Sequence, residues 1–235
     1  MKIVVFFLLV FPAFLFSQIK SGTVTYGISY EFGEDMKNGL MASYVDLAIQ
    51  NAKYVTFELE FNQEAMRFYP SDIMNVDGKK TDFVLAFSAT NGLYYRTKDL
   101  IKNYHQTSTK WLGDYIIKYK AGPEWELTEE TKMINDFLCY RANATQVVEN
   151  EAGVFKIPII AWYCPQIPIP YGPKLYGGLP GLIIELQEND ALFGVRTIKL
   201  SNTENKTIPV PTKGKVVTEE EFNKINLEYS KSMED

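Results

Sequence analysis

The chain has 235 residues, 46% of them hydrophobic and 14% aromatic, with a formal net charge of −5. That composition suits one folded domain of ordinary size and excludes extensive disorder. A mildly acidic chain without a long basic run is also a poor partner for nucleic acid, whose phosphates need clustered Lys and Arg.

The first element reads as a leader. Lys2 is the only charge before an apolar run over 3–16, which gives way to Ser17 and Gln18. A basic start, an apolar run of about 7–15 residues and a small residue predict a secretory signal peptide over 1–17. Residues 18–235 are then one domain. The run falls short of the about 20 residues that a membrane helix needs, and Pro12 interrupts it. No later segment is long and apolar enough to cross a bilayer. The expectation is a periplasmic or otherwise extracytoplasmic protein that is not an integral membrane protein.

Strand signals dominate the rest. Val24, Tyr26, Ile28, Tyr30 and Phe32 alternate with smaller or polar residues, as do Val55, Phe57, Leu59 and Phe61. Period two sends one set to a core and the other to the opposite face. Between them Leu40, Met41, Tyr44, Val45 and Ala48 have helical spacing, which predicts a helix with one apolar stripe on the sheet. Further short strands are predicted at 66–69, 83–87, 93–96 and 115–119, separated by Pro70, Asp77-Gly78, Asn91-Gly92 and Gly113. Asn91-Gly92 predicts a hairpin turn because both residues tolerate positive φ. Segments 182–186 and 195–200 flank Glu188-Asn189-Asp190 as a second hairpin. From about 202 the chain is polar and proline-containing, a loop that opens a C-terminal extension. Thr218 and Glu221 form a capping-box pattern before Phe222, Ile225 and Tyr229, which predicts a short terminal helix. The fold class is mainly β (α+β). It is a curved antiparallel sheet or incomplete barrel with an early helix and a short C-terminal helix, and periodicity leaves open whether it encloses a cavity.

Cys139 and Cys164 flank a predicted hairpin that turns near 149–153. Symmetric pairing about that turn gives partner numbers that sum to about 303, which sets Cys139 opposite Cys164. A non-hydrogen-bonded antiparallel pair lies near the lower end of disulfide geometry, and an extracytoplasmic location permits oxidation. The expectation is a Cys139–Cys164 disulfide. A slip of one position would put the sulfurs on opposite faces, and Pro158 in the second strand implies an edge or a bulge.

The segment after Cys164 runs Tyr171-Gly172-Pro173-Lys174-Leu175-Tyr176 and then Gly177-Gly178-Leu179-Pro180-Gly181-Leu182-Ile183. Upstream stand Trp125-Glu126-Leu127, Glu130-Thr131-Lys132, Cys139-Tyr140-Arg141-Ala142, Ala161-Trp162-Tyr163 and Ile167-Pro168-Ile169. This ordered series resembles the GLPGLI family of exported proteins from Gram-negative bacteria, over roughly 22–200. The hexapeptide Gly178, Leu179, Pro180, Gly181, Leu182, Ile183 is its signature. The resemblance carries no established activity. The outline is also similar to periplasmic lipoprotein carriers, a likeness of fold that assigns no function.

Gly-Pro punctuation stops regular pairing, so Leu179, Leu182 and Ile183 are expected to turn inward and plug one end of the sheet. A second reading makes Trp162, Tyr163, Tyr171, Tyr176, Leu179 and Pro180 the rim of an apolar cavity. No catalytic, cofactor-binding or metal-ligating residue is assigned. His105, the only histidine, lies in a polar stretch and reads as a surface residue. One histidine and two distant cysteines make a poor zinc site. The function expected first is a non-catalytic binding or carrier protein of the cell envelope for an apolar molecule or an extended peptide. The others are a structural or accessory partner of an outer-membrane assembly, and an enzyme. An enzyme would need convergent polar groups in a pocket.

Overall fold

The alternating segments of the sequence do become strands, and they join one sheet. The structure, a computed structural model, describes residues 19–73, 80–120, 122–150, 153–203 and 206–232. The expected signal peptide and the turn at Asp77-Gly78 lie outside the described residues. In chain order the strands are β1 (Ser21–Tyr30), β2 (Val55–Asn62), β3 (Ala65–Ile73), β4 (Leu93–Thr97), β5 (Asn103–Thr109) and β6 (Gly113–Lys118). They continue with β7 (Glu126–Ile134), β8 (Phe137–Asn150), β9 (Gly153–Cys164), β10 (Leu182–Glu188), β11 (Ala191–Ser201) and β12 (Lys215–Thr218). The helices are α1 (Glu34–Asn38), α2 (Ala42–Asn51), α3 (Thr81–Phe87) and α4 (Glu219–Ser232).

The sheet order is β12-β6-β5-β4-β3-β2-β1-β11-β10-β9-β8-β7. Every pairing is antiparallel except β12 with β6, which is parallel. β4 and β9 stand six ladder steps apart, about 29 Å along a flat sheet at the usual strand spacing. Tyr94 of β4 and Ile159 of β9 nevertheless line one pocket. The sheet is therefore strongly curved, an incomplete barrel with β12 and β7 as its edges.

Register builds the inner face. Val24 lies opposite Leu59, Leu59 opposite Phe68, Phe68 opposite Tyr94 and Tyr94 opposite His105. Phe57, Phe68 and Phe193 are fully buried there. Their ring centroids lie 5.3–6.1 Å apart, so aromatic side chains fill the middle of the concavity. The loop between β9 and β10 crosses this face. Tyr171 packs on Phe61 of β2 at 6.1 Å, and Arg96 of β4 donates to Leu175 O at 3.1 Å. Trp125 Nε1 donates to Gly177 O at 2.9 Å. Leu179, Leu182 and Ile183 are buried as expected, whereas Pro180 is exposed. Gly178 sits at φ +84°. A Cβ on Gly181 would lie 2.3 Å from Cys164 O, so only glycine lets the loop pass the end of β9.

Several expectations are corrected. Residues 83–87 form helix α3, not a strand; a five-residue apolar run fits either, and tertiary packing decides. Phe83 and Phe87, one turn apart, pack on Tyr44 and Phe32 at 5.1 and 5.2 Å. Asn91-Gly92 consequently joins a helix to β4 rather than two strands, although Gly92 does take φ +110°. The early helix is two short helices, and Leu40 between them is fully exposed at 101% rather than part of a buried stripe. The segment after 202 is not a free extension. Asn62 Nδ2 donates to Lys206 O at 2.7 Å, and Ile208 packs with Ala65 and Tyr95. Lys213 pairs with Asp114 at 3.1 Å. It straps the outer face and delivers β12 to the far edge.

The late hairpin forms as expected, turning at Asn189 with φ +51°. So does the capping box: Thr218 N donates to Glu221 Oε2 at 2.8 Å and Glu221 N to Thr218 Oγ1 at 3.2 Å. Between β8 and β9 the paired residue numbers follow the predicted register throughout, from Asn150 opposite Gly153 to Tyr140 opposite Tyr163. Pro158 makes neither an edge nor a bulge against β8. Its carbonyl accepts from Asn189 N at 3.2 Å, so its donor-less edge faces β10 and the β8 ladder loses nothing. Cys139 and Cys164 are both buried, and in this structure both are free thiols.

Candidate functional site

Where the aromatic filling stops, the concavity leaves a pocket of about 400 Å³. Its walls come from far apart in sequence: Tyr94 and His105 from β4 and β5, Gln146 and Ile159 from β8 and β9, Lys174–Tyr176 from the crossing loop, Glu188 from the end of β10. Tyr119 and Glu219 close it on the side of the C-terminal strand and helix.

Glu188 is the centre of its polar wall. Its Oε2 is ion-paired with Lys174, and its Oε1 accepts from Tyr176 Oη at 2.9 Å. Tyr176 Oη also lies 3.2 Å from Gln146 Oε1. Lys174 is 7% exposed, and burying a charge this deeply requires a hydrogen-bonded counter-charge. Glu188 supplies it. Burial, and then the Glu188 carboxylate, push the Tyr176 phenol far above its ordinary value. Tyr119 is pushed up to about 12 by burial, with Glu219 and Glu188 adding to it. Both phenols are thus neutral, and Tyr176 donates towards Glu188 and Gln146.

His105 is buried, which corrects its reading as a surface residue. It stacks on the Tyr94 ring at 4.2 Å with 2° between planes. Its Nε2 lies 2.7 Å from Asn91 O, and since a carbonyl only accepts, Nε2 carries the proton. Burial depresses its pKa to about 4; the bond to Asn91 opposes that and Lys174 reinforces it. The imidazole is therefore a neutral, flat wall at ordinary pH.

Of the six side chains expected to form a rim, only Tyr176 borders this pocket. Trp162 and Tyr163, adjacent on one strand, face opposite sides of the sheet. Tyr163 is buried on the inner face, while Trp162 lies on the outer face under Lys132, 4.3 Å from its ring. Tyr171 and Leu179 are core residues and Pro180 points to solvent. The sequence reading missed Lys174, Glu188, Tyr94, Tyr119 and Gln146. Lys174 did carry a signal, as a lone charge inside a Gly-Pro-rich apolar loop. The others come together only through curvature of the sheet. Among the described residues no cluster of His, Cys, Asp or Glu is arranged to hold a metal ion.

Residues 154–185, which cover most of β9 and the crossing loop, match a family model described as a protein of unknown function (Porph_ging). No curated protein matches the chain. Among solved structures, PNGF-II in space group P21 aligns with a TM-score of 0.52 at 11% identity, covering 87% of this chain and 32% of PNGF-II. Its C2 form gives 0.48 at 12% identity, with 85% and 31% covered. At that identity the first likeness concerns the fold alone, and this chain spans about a third of the length of PNGF-II.

Proposed function

We propose that this chain is an exported, non-catalytic binding protein of the bacterial cell envelope, with its ligand site in the pocket walled by the loop 171–181. The convergence of Lys174, Glu188, Tyr176 and Gln146 on one side and Tyr94 and His105 on the other carries this reading. Such pockets combine apolar and aromatic walls with a few placed polar groups, and span about 300–1,000 Å³. The Tyr94–His105 stack offers a flat apolar surface, while Ile159 and its cross-strand partner Glu188, with Tyr176 and Gln146, add an apolar contact and hydrogen bonds. That favours a small molecule with an apolar face over an extended peptide. The leader-like N terminus and the GLPGLI hexapeptide of the exported family it resembles support an envelope location.

A binding role is preferred to catalysis because the polar groups hold one another. Both Glu188 oxygens and His105 Nε2 already have protein partners, and among the described residues that line the pocket no nucleophile stands beside a free base. Native mass spectrometry of chain purified from the periplasm, followed by denaturing release, tests the reading. A small molecule that accompanies the wild-type chain and is lost from Tyr176→Phe supports it. A clean mass for the wild-type chain, with no pocket-dependent shift when envelope extracts are added back, sinks it.

A further inference from the structure

We infer that Cys139 and Cys164 are a built site for a cross-strand disulfide, formed by exchange with a disulfide-bearing oxidant as the β8–β9 hairpin folds. The inference rests on register, and Pro158 supplies the decisive observation. In an antiparallel strand a residue's N–H and C=O point to the same side. Pro158 O accepts from Asn189 N at 3.2 Å, so the polar edge of Pro158 faces β10. Its pair with Thr145 is therefore non-hydrogen-bonded with respect to β8. Pairing between β8 and β9 continues without a bulge to Tyr140 opposite Tyr163. Alternation then makes Cys164, six residues beyond Pro158, another non-hydrogen-bonded position, and one further step of register sets Cys139 against it. Such pairs have Cα atoms about 4.5 Å apart, inside the range that a disulfide spans. The two cysteines share the outer face with Trp162, and each lies close enough for the Cys164 sulfur to raise the Cys139 pKa, after burial, to about 12.

The exchange is balanced by the oxidant. The Cys139 thiolate attacks one sulfur of the oxidant's disulfide and releases one oxidant thiolate. The Cys164 thiolate then attacks the Cys139 sulfur and releases the second. Two protein thiols are oxidised, the oxidant's disulfide is reduced to two thiols, and the two protons pass to those leaving thiolates. Both thiols are fully buried in the folded chain, and the Cys139 thiolate is scarce there, so the step belongs to the folding hairpin. Its structural effect reaches the pocket. Cys164 lies opposite Leu182, and its carbonyl accepts from Ile167 N at 3.1 Å and abuts Gly181. A bond to Cys139 ties the root of the crossing loop to β8.

The test folds the reduced, denatured chain in a glutathione redox buffer, blocks remaining thiols and maps peptides without reduction. The expected result is one linked peptide pair containing Cys139 and Cys164, two hydrogens lighter than its parts, with a melting midpoint that falls by about 5–15 °C on reduction. The Cys139→Ala/Cys164→Ala double variant should melt near the reduced wild type, which shows that the loss is of the bond and not of folding. Two blockable thiols after folding in oxidising buffer, or linkage only between separate chains, overturns the inference.

Discussion

The inner face of the sheet is one surface with two characters. Around β1, β2, β3 and β11 it is filled by Tyr26, Phe57, Phe68 and Phe193, all fully buried. On either side of that filled region, where β4–β5 and β8–β9 approach each other across the curve, the same alternation delivers His105, Gln146 and Ile159 to an open pocket walled in part by a buried ion pair. Strand alternation is the same in the two regions; side-chain identity, together with the curvature and the crossing loop that close the second, makes one a core and the other a site. The filled region gains stability by excluding water; the pocket holds polar groups that pay back little of their own burial.

Four measurements sharpen or break that contrast. Phe68→Ala empties the filled region, where Phe68 touches Tyr26, Phe57, Tyr94 and Phe193. It should cost about 3–5 kcal/mol in urea unfolding. Lys174→Met leaves Glu188 buried without its counter-charge and should cost about 3 kcal/mol. Pairing it with Glu188→Leu should recover at least half of that, because the replaced pair is then apolar. A single-variant cost below about 1 kcal/mol would mean that the pocket wall is solvated and not built.

The third is a pH profile. His105 has its folded pKa lowered from 6.5 to about 4, so between those values the unfolded chain binds the extra proton and folding stability falls as pH falls. The contribution present near pH 7 should decline on the order of 3 kcal/mol by pH 4. His105→Phe, which keeps the stack on Tyr94, should flatten that part of the profile. An unchanged profile would place the titration elsewhere. The smallest effect is expected at the helix beside the pocket, whose first residue Glu219 borders it: Thr218→Ala removes the α4 cap and should cost about 1 kcal/mol.

Much of the sheet was legible from local signals. The alternations in β1 and β2, the Glu188–Asp190 hairpin, the Thr218–Glu221 box and the β8–β9 register all depend on neighbours in sequence or on symmetry about a turn. The errors fall where distant packing chose between local options. Residues 83–87 became helical because Phe83 and Phe87 find Tyr44 and Phe32. Strand β12 escaped notice because four residues, Lys215–Thr218, carry too little alternation, and their partner β6 lies about a hundred residues earlier. The pocket was the least legible part. Tyr176 was named for it, but as a neighbour of Trp162 and Tyr163 along the chain and not of Glu188 and Gln146 across the curve.

The sequence by itself determined the inward alternation of β1 and β2, the turn of the late hairpin, and the β8–β9 register that sets Cys139 across from Cys164. Each follows from a period of two or from a short closed loop. Only the tertiary structure decided that His105 is buried, that the segment after 202 straps the outer face, and that Lys174 and Glu188 share a pocket wall with Gln146. Those outcomes depend on how far a twelve-stranded sheet bends, and curvature sums small contributions from every strand that no local pattern records.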